Sequence, residues 1–86
     1  YVGPGDFSIA MGHPGNYDHD AVVGPMREIL ALCHEHNVPF GTTASNIEAA
    51  KVWVESGARF FETVDEMSLI YEGAAKTVCD YRKITK

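Results

Sequence analysis

The chain has 86 residues, 45% hydrophobic and 22% charged, with 12 acidic against 7 basic side chains and a formal net charge of −5. That length holds one domain at most, and the composition is that of a folded globular protein rather than a disordered chain. The acidic balance repels phosphate backbones, the only basic cluster is Arg82, Lys83 and Lys86 at the very end, and no apolar run approaches the roughly 18–20 residues of a membrane span, so nucleic acid and membrane are excluded as principal partners.

Tyr1-Val2 reads as the stump of a strand that runs directly into a loop, Gly3-Pro4-Gly5-Asp6-Phe7-Ser8. With no Met at its start, the chain is expected to be cut from a longer one. A second loop, Gly12-His13-Pro14-Gly15-Asn16, carries strong turn chemistry. The first helix is expected from Asp20–Gly24 to about Asn37, with Pro25 confined to its opening turn because proline lacks an N–H and clashes with the turn before it. Val22, Met26, Ile29 and Cys33 at i, i+4, i+7 and i+11, widened by Leu30, give that helix one buried face. Val38 to Thr43 reads as a short strand.

Ser45-Asn46-Ile47-Glu48 has the spacing of a capping box, and the helix it opens, Asn46 to Ser56, is expected to bury Ile47, Ala50 and Val54, with Trp53 at the edge. Gly57 supplies a left-handed stop. Ala58 to Val64 is the next strand, and Thr63 with Glu66, or Asp65 as cap, starts a last helix with Met67, Tyr71, Ala74 and Val78 as its stripe. Cys33 and Cys79 fall in predicted helices without a CxxC pattern and read as buried thiols of a reducing, cytoplasmic compartment. Strands joined by helical crossovers run parallel, so the order is that of an α/β fold of three βα units with helices on one face. The other sheet face then needs cover from the rest of a barrel, another domain or another chain.

Ligands of α/β proteins lie at the C-terminal ends of the strands. Gly3 to Ser8 occupies such a position: glycines admit a ligand close to the backbone, free N–H groups can hold a carboxylate or phosphate, and Asp6 is a hard oxygen donor for a divalent cation. A plain turn in which Asp6 caps a local amide accounts for the same residues equally well. Elsewhere the residues favour ordinary roles. His13 is a loop histidine, Asp18-His19-Asp20 with His13 only imitates a metal cluster, and His34 and His36 point apart on one helix. Ser8 near His13 lacks an orienting third group for nucleophilic catalysis. No dinucleotide or phosphate-loop fingerprint is complete.

Gly3-Pro4-Gly5-Asp6-Phe7-Ser8, Met11-Gly12-His13-Pro14-Gly15-Asn16 and His19-Asp20-Ala21-Val22 together resemble the HpcH/HpaI aldolase family, and weaker matches continue through Asn37-Val38-Pro39-Phe40-Gly41 and Ser56-Gly57-Ala58-Arg59-Phe60. The resemblance implies the last three βα units of a TIM (β/α)8 barrel, residues 1–86 being the C-terminal part of a single domain of roughly 250 residues. It implies a carbon–carbon lyase that cleaves or forms 4-hydroxy-2-oxo acids, giving pyruvate plus an aldehyde, with a divalent cation (Mg²⁺, Mn²⁺ or Co²⁺) as cofactor. Asp6 is then a metal ligand, the Gly5 and Asp6 amides hold the pyruvate carboxylate, and Thr43 lines the substrate pocket where the family has an aliphatic residue. The family's second metal carboxylate, general-base histidine and arginine belong to earlier strands, so no catalytic residue is expected in this chain and the chain alone is expected to be inactive. A homo-oligomer, hexameric in the family, is also implied. Glu62 stands where the family is small and apolar, either facing the pocket or pairing with Arg59. The alternatives are a non-catalytic α/β interaction or small-anion-binding module, and an acyl-CoA lyase relative of the same superfamily.

Overall fold

A computed structural model describes residues 1–85; Lys86 of the terminal basic cluster lies outside the described residues. The elements are helix α1 (Pro4–Ala10), helix α2 (Asp20–Glu35), strand β1 (Gly41–Thr43), helix α3 (Ile47–Ser56), strand β2 (Phe60–Glu62) and helix α4 (Glu66–Ile84). The strands are parallel, pairing Gly41 with Phe60, Thr42 with Phe61 and Thr43 with Glu62. Of the three strands expected, only two form as such. The Tyr1-Val2 stump contributes a single parallel bridge, Val2 to Thr42, its N–H bonded to the Gly41 carbonyl at 3.0 Å. The backbone order across the sheet is therefore Val2, β1, β2, as expected for consecutive βα units.

Four local expectations are corrected. Gly3 to Ser8 is not a loop: Pro4 to Ala10 is helical, with Gly3 extended as N-cap, Pro4 preset for the first turn and Asp6 favoured there by the helix dipole. Pro25 lies inside α2, in its second turn. Glycine at position 24 relieves the clash of the proline ring with a preceding Cβ, while the missing N–H and the crowding of the Ala21 carbonyl remain as costs of the position. At α3 the cap is Asn46, whose side chain accepts from Ala49 N at 2.8 Å; Ile47 is then the first helical residue and Glu48 falls one position short of a capping box. The strands are three residues each, shorter than Val38–Thr43 and Ala58–Val64.

The core is Val2, Val22, Met26, Leu30, Phe40 and Ala58, with Phe7, Ile29, Cys33, Trp53 and Phe61 packed against it. This is the face predicted for α2, with Trp53 of α3 stacked on Phe40 at 5.8 Å. Alternation along the strands puts Val2, Thr42 and Phe61 under the helices and Tyr1, Gly41, Thr43, Phe60 and Glu62 on the opposite face. That face is bare, Tyr1 and Phe60 being 57% and 45% exposed. Gly41 makes room on it: a Cβ there would run into the Phe60 ring, and the Tyr1 and Phe60 rings stack across the gap at 6.0 Å.

The apolar stripes of the last two helices are not buried. Ile47 and Val54 of α3 are exposed, and no residue of α4 is buried, Met67, Tyr71 and Val78 included. Cys79 is likewise exposed and Cys33 only half-buried; both are free thiols. With α4 projecting, the molecule extends to 59 Å along its long axis. No helix among the described residues is long and apolar enough to cross a membrane.

What α4 has is local support. The Asp65 side chain caps it, accepting from Ser68 N at 2.6 Å, and Asp80 takes Lys76 at 2.6 Å and Lys83 at 3.1 Å. The Ser68 backbone N–H, above all, holds the Asp65 carboxyl below its ordinary value, and Lys76, then Lys83, does the same for Asp80. A carboxyl lowered in the folded state contributes stability that is present above its unfolded value and is lost as pH falls through the lowered one. The helicity of α4 is thus expected to be level above about pH 5 and to fall below about pH 4. Backbone chemical shifts from Asp65 to Asp80 read this directly; full helical shifts maintained to about pH 2 would refute it.

Candidate active site

The strand ends and the turns that follow them define the site. Chain leaving Val2 enters α1 at once, chain leaving β1 passes through Ala44 and Ser45 to the Asn46 cap, and β2 ends at Glu62. In α1 the first intrahelical bond is Phe7 N to the Gly3 carbonyl at 3.0 Å, and no side chain caps the turn. The N–H groups of Gly5 and Asp6 precede that bond and have no acceptor among the described residues. Asp6 is exposed, in the first turn, and its carboxylate makes no hydrogen bond or ion pair among the described residues.

Ser8 fixes this turn. It is fully buried, its hydroxyl donates to the Gly5 carbonyl at 2.7 Å, and it accepts from Gly15 N at 3.1 Å, fastening the following loop across α1. A buried hydroxyl with both functions used is a structural group, and it does not reach His13 through its side chain. Ser8→Ala is expected to destabilise the intact protein by about 1–3 kcal/mol through the unpaired partners, read as a lower denaturant midpoint. An unchanged midpoint would show that the loop is held by other contacts.

The fastened loop brings Tyr17 over α1, its hydroxyl 3.7 Å from where a Gly5 Cβ would stand. Beside it opens a cleft of about 640 Å³ whose lining includes Pro4, Tyr17, Arg27, Thr43, Asn46 and Trp53. Thr43 thus lines the cleft, whereas Gly5 and Asp6 stand next to it on the turn that Pro4 begins. Tyr17 and Arg27 were not foreseen; an aromatic in a Gly-rich loop and a charge on the polar side of a helix give no local signal.

The histidines have capping and stacking roles. His19 Nδ1 accepts from Ala21 N at 3.0 Å as the N-cap of α2, and its ring stacks on His13 at 3.7 Å. The two rings meet, yet among the described residues no three His, Cys, Asp or Glu side chains gather where they could hold a metal ion. Asp6 is a single hard oxygen donor, and among the described residues no further ligands gather beside it.

On the bare sheet face, Tyr1, Thr43 and Glu62 come together. The Tyr1 hydroxyl donates to Glu62 Oε2 at 3.0 Å and bonds the Thr43 hydroxyl. Of the two places open to Glu62, the partner is this phenol; no ion pair joins it to Arg59 among the described residues. Tyr1 was missed because a strand stump reads only as apolar.

No family model matches the chain. Over 83 residues, 96% of its length, the chain is 31% identical to a 5-keto-4-deoxy-D-glucarate aldolase of Salmonella arizonae. Over the same length it is 29% identical to proteins of that name from Klebsiella pneumoniae and Citrobacter koseri. Each match covers 32% of the relative, so the chain spans about a third of the length of the curated relatives it matches. The likeness extends along nearly the whole sequence, and the chain is a relative, over that third, of the HpcH/HpaI-type aldolases.

Proposed function

We propose that the chain is the C-terminal part, three βα units, of a (β/α)8 aldolase that cleaves or forms 4-hydroxy-2-oxo acids. The observation that carries the reading is the α1 turn: a carboxylate, Asp6, and two amides, all without a partner among the described residues, at the C-terminal end of the sheet of a chain whose relatives are named as aldolases. In the cleavage direction the 4-hydroxyl loses its proton and the C3–C4 bond breaks. Its electron pair stays on C3 as the enolate of pyruvate, the aldehyde leaves, and a proton is added at C3. The Gly5 and Asp6 amides suit the carboxylate of the 2-oxo acid, because N–H groups at a helix start carry partial positive charge. Asp6 would supply one oxygen ligand to a divalent cation, Mg²⁺, Mn²⁺ or Co²⁺, which when bound polarises the keto oxygen and stabilises the enolate charge. Thr43 borders the pocket, and the Ser8 latch sets the direction in which the turn presents its amides.

The proton-transfer groups and the second metal carboxylate belong to the remaining two thirds of such a protein. We propose a cytoplasmic homo-oligomer, with the bare stripe of α4 as part of its interface. The test is retro-aldol release of pyruvate by the intact protein. Activity that is lost on chelation and restored by Mg²⁺, Mn²⁺ or Co²⁺ supports the reading; activity indifferent to chelator, or none on any 4-hydroxy-2-oxo acid, refutes it.

A further inference from the structure

The loop between α1 and α2 is closed by two histidines, one from each end of it. His13 follows α1 and His19 is the N-cap of α2; both are half-buried, and their rings stack at 3.7 Å. His19 Nδ1 accepts the Ala21 N–H at 3.0 Å. A ring nitrogen that accepts carries no hydrogen, so the neutral imidazole holds its one hydrogen on Nε2. The next proton can go only to Nδ1, the capping atom itself. That proton turns the acceptor into a donor facing the Ala21 donor. It also sets a positive charge at a helix start whose N–H groups are already partly positive. A second charge on His13, one stacking distance away, adds repulsion between like ions.

The surrounding charges do not restore the cap. Asp18 and Asp20 flank His19 in the chain, Asp6 stands in the first turn of α1, and Arg27 of α2 and Glu48 of α3 border the cleft beside the loop. All five are exposed, and among the described residues no ion pair joins any of them to either imidazole. The carboxylates attract a charged ring through water, where the attraction is screened, and they leave Ala21 N without its acceptor. From this we infer that His13 and His19 form an acid-released clasp on the loop that carries Tyr17 over α1. The closed clasp holds one proton fewer than the open one. It therefore tightens as pH rises and lets go as pH falls through the range, about pH 8 to 5, in which histidines change charge. Gly15 stays fastened to Ser8 and the His19 carbonyl stays bonded to Val22 and Val23, so the part released is Asn16 to Asp18, which walls the cleft. The clasp is independent of the aldolase reading; its effect on substrate rests on that reading.

The experiment follows hydrogen exchange of the Ala21 and Gly15 amides in the intact protein from pH 8 to pH 5, each corrected for its intrinsic rate. Protection of Ala21 is expected to fall roughly tenfold, the size of a lost N-cap, while Gly15 keeps its own. His19→Asn supplies a capping oxygen that does not titrate, so its Ala21 protection should be level across the same range. A fall of equal size in His19→Asn, or no fall in the unmodified protein, overturns the clasp, and the second result needs no variant. Action on the site is read by exchange of the pyruvate methyl protons in D2O. The kcat/KM values of the two proteins should be about equal at pH 8 and should favour His19→Asn at least about twofold at pH 5, because every other titrating group is common to both. A ratio that does not move with pH overturns the control of the site by the clasp. Absence of pyruvate exchange in the unmodified protein overturns the aldolase reading, and the Ala21 series then decides the clasp alone.

Discussion

Asp6→Asn is expected to lower metal-dependent pyruvate release by the intact protein at least about 100-fold, since altering even an outer-shell partner of a bound metal typically costs 10–100-fold. The substitution is nearly isosteric. It keeps the first-turn position and the Gly5 and Asp6 amides, and it removes only the charge and one hard anionic oxygen. Because the Asp6 side chain is exposed and bonded to nothing among the described residues, the fold should not register the change. Thermal stability is expected to stay within about 0.5 kcal/mol of the parent. That separation makes the result decisive: a stable protein with a large loss, partly recovered at high Mn²⁺, places Asp6 on the cation. A stable protein with undiminished activity removes Asp6 from the site.

Met26→Ala is the substitution expected to damage the fold most, by about 2–5 kcal/mol in the intact protein. Met26 is 2% exposed and sits between Val22 and Leu30 on the buried face of α2. Truncation removes contacts to the core and leaves a void beneath the cleft, whose floor Met26 also forms. Val78→Ala on α4 is the control, half exposed and outside the core, with little expected change if no partner covers it and a Met26-sized loss if one does. Denaturant midpoints of the two variants distinguish these cases. A Met26→Ala protein as stable as the parent would show that the α2 face is not the organising contact.

The α2 stripe was legible in the sequence because Val22, Met26 and Leu30 obey helical spacing and the structure has something for them to meet. The left-handed Gly57 and the Asp65 cap were legible for a local reason: each is fixed by its own turn. Ile47, Val54 and the α4 stripe obey the same spacing and remain bare, since periodicity states which face wants cover and not whether cover lies within the chain. Pro25 was misjudged because the helix tolerates it one turn in, where Gly24 relieves part of the crowding and the packed Val22–Met26–Leu30 face outweighs the rest. The Gly3–Ser8 segment was read as a site from its position after a strand, but its helical turn was hidden by two glycines and a proline. The Tyr1–Thr43–Glu62 group spans 61 positions and follows only from strand register, which no local pattern contains.

The bare flank of α4 has a calorimetric consequence. A helix of 19 residues without a buried side chain is not part of the same cooperative unit as the α2 core. Its melting should be broad and small in heat, ahead of the sharp transition of the core. Whatever surface closes over Met67, Tyr71 and Val78 would draw that helix into the main transition and make the association strongly temperature-dependent, with a negative heat-capacity change. In this molecule, docking and the last step of folding would be the same event.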